Sequence, residues 1–209
     1  MDKRRFFHCI VASTVVRSGA LALLGGGLAA CSESTPKQNF NAVDLTGADY
    51  AKDFSLTDAD GRRRTLADFK GKVVVLFFGY AQCPDVCPTT MTEMAQVKQQ
   101  LGKDGDRLQV VFVTVDPERD TAPVMKAYTQ AFDPGIVALI PTPEELAALS
   151  KDFKFYYKKV EGSTPTSYSM DHSAASYVYD PAGRLRLYAR YGSGVASMVA
   201  DVEALLAPT

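Results

Sequence analysis

The chain has 209 residues, of which 46% are hydrophobic and 22% are charged, and its formal net charge is −1. This composition excludes a collagen, a coiled coil and a wholly disordered chain. The near-balance of 23 basic and 24 acidic residues leaves no cationic surface for nucleic acid, which is therefore not an expected partner. The length indicates one domain with a tail, large enough to bury a core without disulfide staples.

The first thirty residues have the pattern of a signal peptide. Basic residues between positions 3 and 17 precede an apolar, glycine-rich stretch from 19 to 30, which is too short to span a bilayer. The stretch ends in Leu28-Ala29-Ala30-Cys31, which resembles a bacterial lipobox and implies cleavage before Cys31 and a lipid on its thiol. An ordinary signal peptide with a chance cysteine is the alternative, and export by the Sec or the twin-arginine route stays open.

This interpretation divides the chain into three parts. Residues 1–30 form the lipoprotein signal peptide, residues 31–48 form a polar, flexible tether from the lipidated Cys31, and residues 49–209 form the domain. The protein is then a membrane-anchored lipoprotein that faces the periplasm or the extracytoplasmic side. Processing leaves Cys83, Cys87 and His172 as the cysteines and the histidine of the domain.

Strand and helix patterns alternate along the domain. In chain order they are a strand at 54–56 with a turn at 58–61, a buried strand at 73–78, a helix capped by Thr90 and Glu93, a buried strand at 108–115, a helix at 121–131, a strand at 136–140, a helix capped by Thr142 and Glu145, a loop at 161–171, strands at 174–179 and 185–191, and a helix at 195–206. This order predicts an α/β fold, a three-layer sandwich of the thioredoxin type with an N-terminal β-hairpin.

The two cysteines of the domain lie in Cys83-Pro84-Asp85-Val86-Cys87-Pro88, where a buried strand gives way to a helix. A helix N-terminus favours the thiolate, which is the form needed for disulfide exchange and for binding a soft metal. Three interpretations stay open at this point: a structural disulfide, a thiol-disulfide redox pair and a metal site. A redox pair of the thioredoxin sort usually has two residues between the cysteines, whereas this chain has three.

His172 makes a metal site the strongest of the three interpretations, because it completes a set of two cysteines and one histidine. Zinc normally takes four ligands, or three and a catalytic water. Copper accepts three ligands as Cu(I), and Cu(II) adds a water or a carboxylate. Asp85 or Asp171 can take that outer role, in the second shell of the site.

Two further features lie near the predicted site. Asp116, Arg119 and Asp120 follow a buried strand and can form a charge network that holds the loops near the cysteines, or can be a helix cap with surface ion pairs. Tyr80 can line the site or can simply pack in the core. The sequence leaves both questions open.

Three segments of the chain resemble the Sco/SenC family, in the family's order. They are Val74-Val75-Leu76-Phe77-Phe78-Gly79-Tyr80 with Cys83-Pro84-Asp85-Val86-Cys87-Pro88, then Val113-Thr114-Val115-Asp116-Pro117-Glu118-Arg119-Asp120-Thr121, and Asp171-His172-Ser173. The resemblance implies a thioredoxin-like fold and one copper per chain, Cu(I) or Cu(II), on Cys83, Cys87 and His172. It also implies a role in maturing the dinuclear copper centre of cytochrome c oxidase. The expected partners are the copper-bearing subunit of that oxidase or another extracytoplasmic cuproprotein.

Two functions follow from these observations. The first is a metallochaperone that delivers copper, and the second is an enzyme, a thiol-disulfide reductase that uses Cys83 and Cys87 and does not need His172. A peroxidase of the same fold is disfavoured, because Tyr80 stands three residues before Cys83, where a threonine or serine is wanted.

Overall fold

The computed structural model describes residues 39–164 and 167–208. The expected signal peptide and Cys31 lie outside these residues. Strands and helices follow in this order: β1 Val43–Asp44, β2 Leu56–Thr57, β3 Arg63–Arg64, β4 Val73–Gly79, α1 Val86–Gln100, β5 Leu108–Thr114, α2 Ala122–Gln130, β6 Val137–Leu139, α3 Pro143–Asp152, β7 Tyr157–Glu161, β8 Tyr168–His172, β9 Ser176–Tyr179, β10 Leu185–Ala189 and α4 Val195–Leu206.

Six of these strands form the central sheet, in the order β1-β10-β9-β4-β5-β6. β4, β5 and β6 are parallel, whereas β9 pairs antiparallel with β4, and β10 pairs antiparallel with both β9 and β1. β4 and β5 are buried along their whole length, as uninterrupted apolar runs predict. Gly79 lies opposite Thr114, so the loops that follow β4 and β5 leave the sheet at the same edge.

Helices cover both faces of this sheet. On one face α1 packs against α4, and Tyr128 of α2 contacts Phe112 of β5, which in turn contacts Phe77 of β4. On the other face, Phe153 at the end of α3 packs edge-to-face on Phe78, because consecutive side chains of a strand point to opposite faces. The predicted α/β sandwich is confirmed.

The N-terminal hairpin is also confirmed, although its strands are shorter and lie slightly later than expected. β2 pairs antiparallel with β3. The predicted turn at 58–61 joins them, and the Asp58 carboxylate accepts the backbone N–H groups of Asp60 and Arg62, each at 2.9 Å. The buried carboxylate thus satisfies the backbone donors of the turn.

The start of the domain lies earlier in the chain than Asp49. β1 adds a strand to the central sheet, with Val43 opposite Tyr188. Just before it, the backbone N–H groups of Asn41 and Ala42 donate to the carboxylate of Asp201 in α4, at 2.7 and 2.9 Å. Residues 41–48, which the polar composition placed in the tether, therefore belong to the folded unit. Composition missed this because a two-residue strand has no hydrophobic period.

Two other expectations are wrong. α1 begins at Val86, inside the cysteine motif, so Thr90 lies within the helix and donates to the Val86 carbonyl oxygen at 2.8 Å instead of forming a capping box with Glu93. The expected loop at 161–171 contains most of β8, which pairs with β7 as a separate two-stranded sheet. Among the described residues, none of the helices combines the length and the apolar character needed to cross a membrane.

Candidate metal centre

The cysteine loop joins β4 to α1 at the carboxyl edge of the sheet. β4 ends at Gly79, and Cys87 is in the first turn of α1. A Cβ atom on Gly79 would lie 2.8 Å from the sulfur of Cys87 and 2.7 Å from the ring of Phe77. A side chain at this position would therefore collide with the thiol, and glycine allows Cys87 to pack directly on the end of the strand.

The two thiols lie in different environments. Cys87 is fully buried and Cys83 is partly exposed. The backbone N–H of Cys87 points at the Cys83 sulfur, 3.4 Å away, as expected at a helix N-terminus. The hydrogen bond between the two thiols lowers the pKa of Cys83 and raises the pKa of Cys87, and burial raises the latter further. The site thus holds one thiolate and one thiol in the metal-free protein.

His172 reaches the cysteines from β8. Its Nδ1 lies 3.0 Å from the carbonyl oxygen of Ser173, which can only accept, so Nδ1 carries the proton. Nε2 faces the sulfur of Cys87, 3.5 Å away. The rings of Phe77 and Tyr80 stand edge-on to the imidazole, at centroid distances of 6.0 and 5.9 Å. The backbone contact at Nδ1 and the two rings therefore orient the histidine so that Nε2 is the nitrogen that faces the thiols.

The structure brings the three expected metal ligands together. The Cys83 and Cys87 sulfurs and one ring nitrogen of His172 lie within 4.8 Å of one another. Among the described residues this is the one such group of potential ligands, and neither Asp85 nor Asp171 belongs to it. Both carboxylates are exposed, and Asp171 points to the opposite face of β8 from its neighbour His172. A role for either carboxylate, as an added ligand of Cu(II) or as a residue that supports the ligands, stays a prediction.

The charge network expected after β5 is present. Arg119 forms an ion pair with Asp116, and the buried carboxylate of Asp120 accepts the Ala81 backbone N–H at 3.0 Å and the Thr114 hydroxyl at 2.6 Å. The network therefore anchors the cysteine loop directly, as the first of the two interpretations of this segment requires.

Tyr80 lines the site, since its ring contacts His172. Sequence reasoning missed Tyr168, whose hydroxyl donates to Asp116 at 2.8 Å, and Gln82, whose side-chain oxygen accepts from Arg119 at 3.1 Å. Tyr168 stands among serines and threonines in a segment whose composition favours a loop. No local signal in the sequence indicated these two residues.

The comparisons with known proteins agree on one family. The family model described as SCO1/SenC matches residues 43–207. The chain is 41% identical over 133 residues to the mitochondrial SCO2 homologue of Bos taurus, covering 63% of this chain and 50% of the bovine protein. It is 32% identical over 179 residues to a SCO2-like protein of Rickettsia felis, covering 84% of each chain.

Among solved structures, the chain is similar to ScoI of Bradyrhizobium japonicum with copper bound. The two share 38% identity and a TM-score of 0.67, over 73% of this chain and 97% of that one. The chain spans about half the length of the first mitochondrial relatives that it matches. The similarity therefore covers the folded unit and leaves the remaining parts of those longer proteins without a counterpart in the alignment.

Proposed function

Because this chain belongs to the SCO1/SenC family, we propose that it binds one copper ion and delivers it to the dinuclear copper centre of cytochrome c oxidase, or helps to mature that centre. Cys83, Cys87 and His172 are the ligands. The observation that carries the proposal is the convergence of two sulfurs and one imidazole nitrogen within 4.8 Å. The copper-bearing subunit of the oxidase is the proposed recipient.

The donor set fits copper better than zinc. Two thiolates and one imidazole satisfy Cu(I) in a three-coordinate site, and they bind Cu(II) when an oxygen ligand is added. A structural zinc ion requires a fourth protein ligand, and the group of potential ligands in the described residues contains three. The buried rings of Phe77 and Tyr80 limit the access of water from the side of the core.

The exposure of the site supports transfer of the metal. Cys83 and His172 are both partly exposed, at the loop edge of the sheet. A ligand of the recipient can therefore reach the copper and replace one protein donor at a time, so that the ion is never released to water. Binding requires both thiols in the reduced state, and oxidation to a disulfide would abolish it.

The proposed location follows from the N-terminal segment. A lipid on Cys31 would hold the protein on a membrane, with the domain on the periplasmic or extracytoplasmic side where the copper centre is assembled. Cys31→Ser tests this in cells grown with a labelled fatty acid, because it should abolish incorporation of the label into the protein. Absence of the label from the parent protein, or its incorporation into the variant, would contradict a lipid on Cys31.

Copper titration tests the proposed site. The protein used for this titration begins at residue 31 and carries Cys31→Ser, so that Cys83 and Cys87 are its only cysteines. We expect one copper per chain, with a sulfur-to-copper charge-transfer band. His172→Ala should weaken Cu(II) binding by about 100-fold or more. This loss is larger than the one expected when a residue that only supports a ligand is removed. Cu(I) binding should survive on the two thiolates.

The controls separate the ligands from one another. Cys83→Ser and Cys87→Ser should each weaken copper binding and change the energy and intensity of the charge-transfer band, since each removes one of the two thiolates. An unchanged Cu(II) affinity and spectrum in His172→Ala would remove the histidine from the site, and the absence of stoichiometric binding would remove the metal function altogether.

One observation favours a second function, a thiol-disulfide reductase acting on the cysteines of a copper-enzyme target. An accessible thiolate at Cys83 beside a buried thiol at Cys87 is the arrangement of an attacking and a resolving cysteine. Reduction of a disulfide peptide at a rate that His172→Ala leaves unchanged would support it. The two functions can coexist, because they use the same thiols in different steps.

A further inference from the structure

The cysteines and His172 belong to two different sheets. Cys83 and Cys87 follow β4 of the central sheet, whereas His172 ends β8, which pairs with β7 in a separate two-stranded sheet. Within the described residues, this hairpin shares no ladder of backbone hydrogen bonds with the central sheet. The position of the histidine relative to the thiols therefore depends on contacts between side chains.

Arg119 supplies several of these contacts, beside the packing of Met170 in the core and of Phe77 and Tyr80 on His172. Its Nη1 donates to the Tyr168 carbonyl oxygen at 2.9 Å and to the side-chain oxygen of Gln82 at 3.1 Å. Its guanidinium carbon lies 3.5 Å from the centre of the Tyr168 ring. One side chain thus joins the cysteine loop, at Gln82, to the first residue of the strand that carries His172.

Asp116 completes this clamp. Its carboxylate pairs with Nε of Arg119 and accepts the hydroxyl of Tyr168 at 2.8 Å. Tyr168 is therefore held at its backbone, its ring and its hydroxyl. The pair is well shielded, since the Arg119 and Asp116 side chains are 18% and 3% exposed, and shielded ion pairs hold geometry better than exposed ones.

Within the described residues, an ion pair also joins the loop after β5 directly to the hairpin. Lys159 of β7 pairs with Glu118 at 3.0 Å, but these side chains are 39% and 67% exposed. Pairs of this kind contribute little to stability or geometry. Arg119 and Asp116 therefore carry most of the link between the histidine hairpin and the loop after β5.

We propose that Arg119 is a positioning residue that sets the distance of His172 from the two thiols, so that its loss weakens Cu(II) binding while leaving the chemistry of the cysteine pair intact. The inference rests on the proposed function. Both cysteines lie on one segment, which Asp120 also anchors through the Ala81 N–H, so the dithiol keeps this anchor when the contact of Arg119 with Gln82 is lost. Cu(I) can be held by two thiolates alone, whereas Cu(II) needs the nitrogen donor.

A double-mutant cycle tests this proposal on the chain that begins at residue 31 with Cys31→Ser. Cu(II) affinity is measured by competition with a chelator, and nitrogen coupling by paramagnetic resonance, in the parent, Arg119→Ala, His172→Ala and the double variant. Arg119→Ala should lower Cu(II) affinity about 10- to 100-fold and diminish the nitrogen coupling. When position 172 is already alanine, Arg119→Ala should lower the Cu(II) affinity less than about twofold, because the effects of coupled residues do not add.

The dithiol and a matched arginine serve as controls. The equilibrium constant for disulfide exchange with glutathione should change less than about twofold in Arg119→Ala. Arg107 pairs with Asp104 three residues before it, at the opposite end of β5, and Arg107→Ala should leave the affinity and the spectrum unchanged. If Arg119→Ala fails to fold, Arg119→Lys replaces it in the cycle, because lysine can keep the ion pair but lacks the planar fork of donors.

The outcomes distinguish this inference from the function on which it rests. Equal losses in both backgrounds, or no loss in Arg119→Ala while His172→Ala weakens binding, would overturn the positioning role alone. If His172→Ala itself leaves Cu(II) binding unchanged, the proposed metal site fails and the inference fails with it.

Discussion

At the scale of single residues, the two cysteines of the site differ in exposure and in protonation state. Cys83 is partly exposed and its thiolate receives hydrogen bonds from the thiol and the backbone N–H of Cys87. Cys87 is fully buried against Gly79 and keeps its proton in the metal-free protein. An incoming metal or disulfide therefore meets Cys83 first, and Cys87 must lose its proton in the second step.

This asymmetry predicts the pH dependence of alkylation. An ordinary cysteine has a pKa of about 8.5 and reacts slowly in acid. Since the folded protein lowers the pKa of Cys83, the metal-free, reduced protein should react with iodoacetamide well below pH 7, at one thiol per chain. Cys87→Ala removes the main donor to the thiolate, so the pKa of Cys83 should rise and the pH profile should move to higher pH.

Mass spectrometry of the alkylated peptide identifies the thiol that reacts. Cys83→Ser is the matched control, and the rate should fall to a small fraction of that of the parent at every pH below 8, because Cys87 is buried. Preferential labelling of Cys87, or a profile that is unaffected by Cys87→Ala, would contradict the assignment.

The sequence analysis predicted the residues that can bind a metal, and missed the residues whose contacts hold the loops of the site together. Cysteine and histidine are rare in this chain, so Cys83, Cys87 and His172 stand out from their residue types alone. Tyr168 and Gln82 have no such signal, because tyrosine and glutamine occur in any polar loop. Their partner Arg119 lies 49 residues before Tyr168 and 37 residues after Gln82, distances that no local pattern connects.

At the scale of elements, the starts of the helices show where local capping interactions are sufficient to predict a boundary. α3 begins as expected: the Thr142 side chain accepts the Glu145 N–H at 3.2 Å, and the Glu145 carboxylate accepts the Thr142 N–H at 2.9 Å. α1 begins four residues before the expected Thr90, at Val86. Its start is set by the packing of Cys87 on the end of β4, a contact between elements that capping rules do not include.

The capping box of α3 gives a stability prediction. Thr142→Ala removes the acceptor of the Glu145 N–H, and should lower the free energy of unfolding by about 1 kcal/mol. Denaturant unfolding measures it, with Thr92→Ala as the control. Thr92 is an exposed threonine in the interior of α1, where alanine is the better helix former and should be neutral or slightly stabilising. Equal losses in the two variants would contradict the cap.

The hairpin of β7 and β8 was the element that the sequence analysis did not predict. All of β7 except Tyr157 is exposed, and Met170 is the one buried residue of β8. In β8 the inward Tyr168, Met170 and His172 alternate with exposed residues, but the pattern covers only this short strand, and the serines and threonines of 161–171 favour a loop. Arg119 and Asp116 hold Tyr168 of the hairpin, while Met170 lies in the core and Tyr157 packs against it, so the hairpin is anchored both at the site and in the core.

At the scale of the whole molecule, the site forms where the parallel strands end. The loops after β4 and β5 leave the sheet side by side because Gly79 and Thr114 are in register. The alternating order of strands and helices was sufficient to predict this architecture, since buried runs such as residues 73–78 have a strong signal. The boundary of the domain was not predictable in this way, because residues 41–44 join it through hydrogen bonds and not through an apolar pattern.

The N-terminal boundary gives the last prediction. A chain that begins at Asp49 lacks β1 and leaves the Asp201 carboxylate, which is 2% exposed, without the donors from Asn41 and Ala42. Removing the partners of a buried carboxylate is strongly destabilising, and the side chains of Phe40 and Leu45 that pack on the core are lost with it. We expect the free energy of unfolding to fall by about 3 kcal/mol or more relative to a chain that begins at residue 39.

Asp201→Asn in the longer chain separates the two contributions to this loss. It keeps the packing of residues 39–48 but removes the charge and one acceptor, so it should cost less than the truncation. Copper stoichiometry should stay at one per chain in both variants, because the proposed ligands and the Arg119 clamp all lie beyond Gly79. Equal stability of chains beginning at residues 39 and 49 would show that the first strand contributes nothing to the fold, and would return the boundary to residue 49.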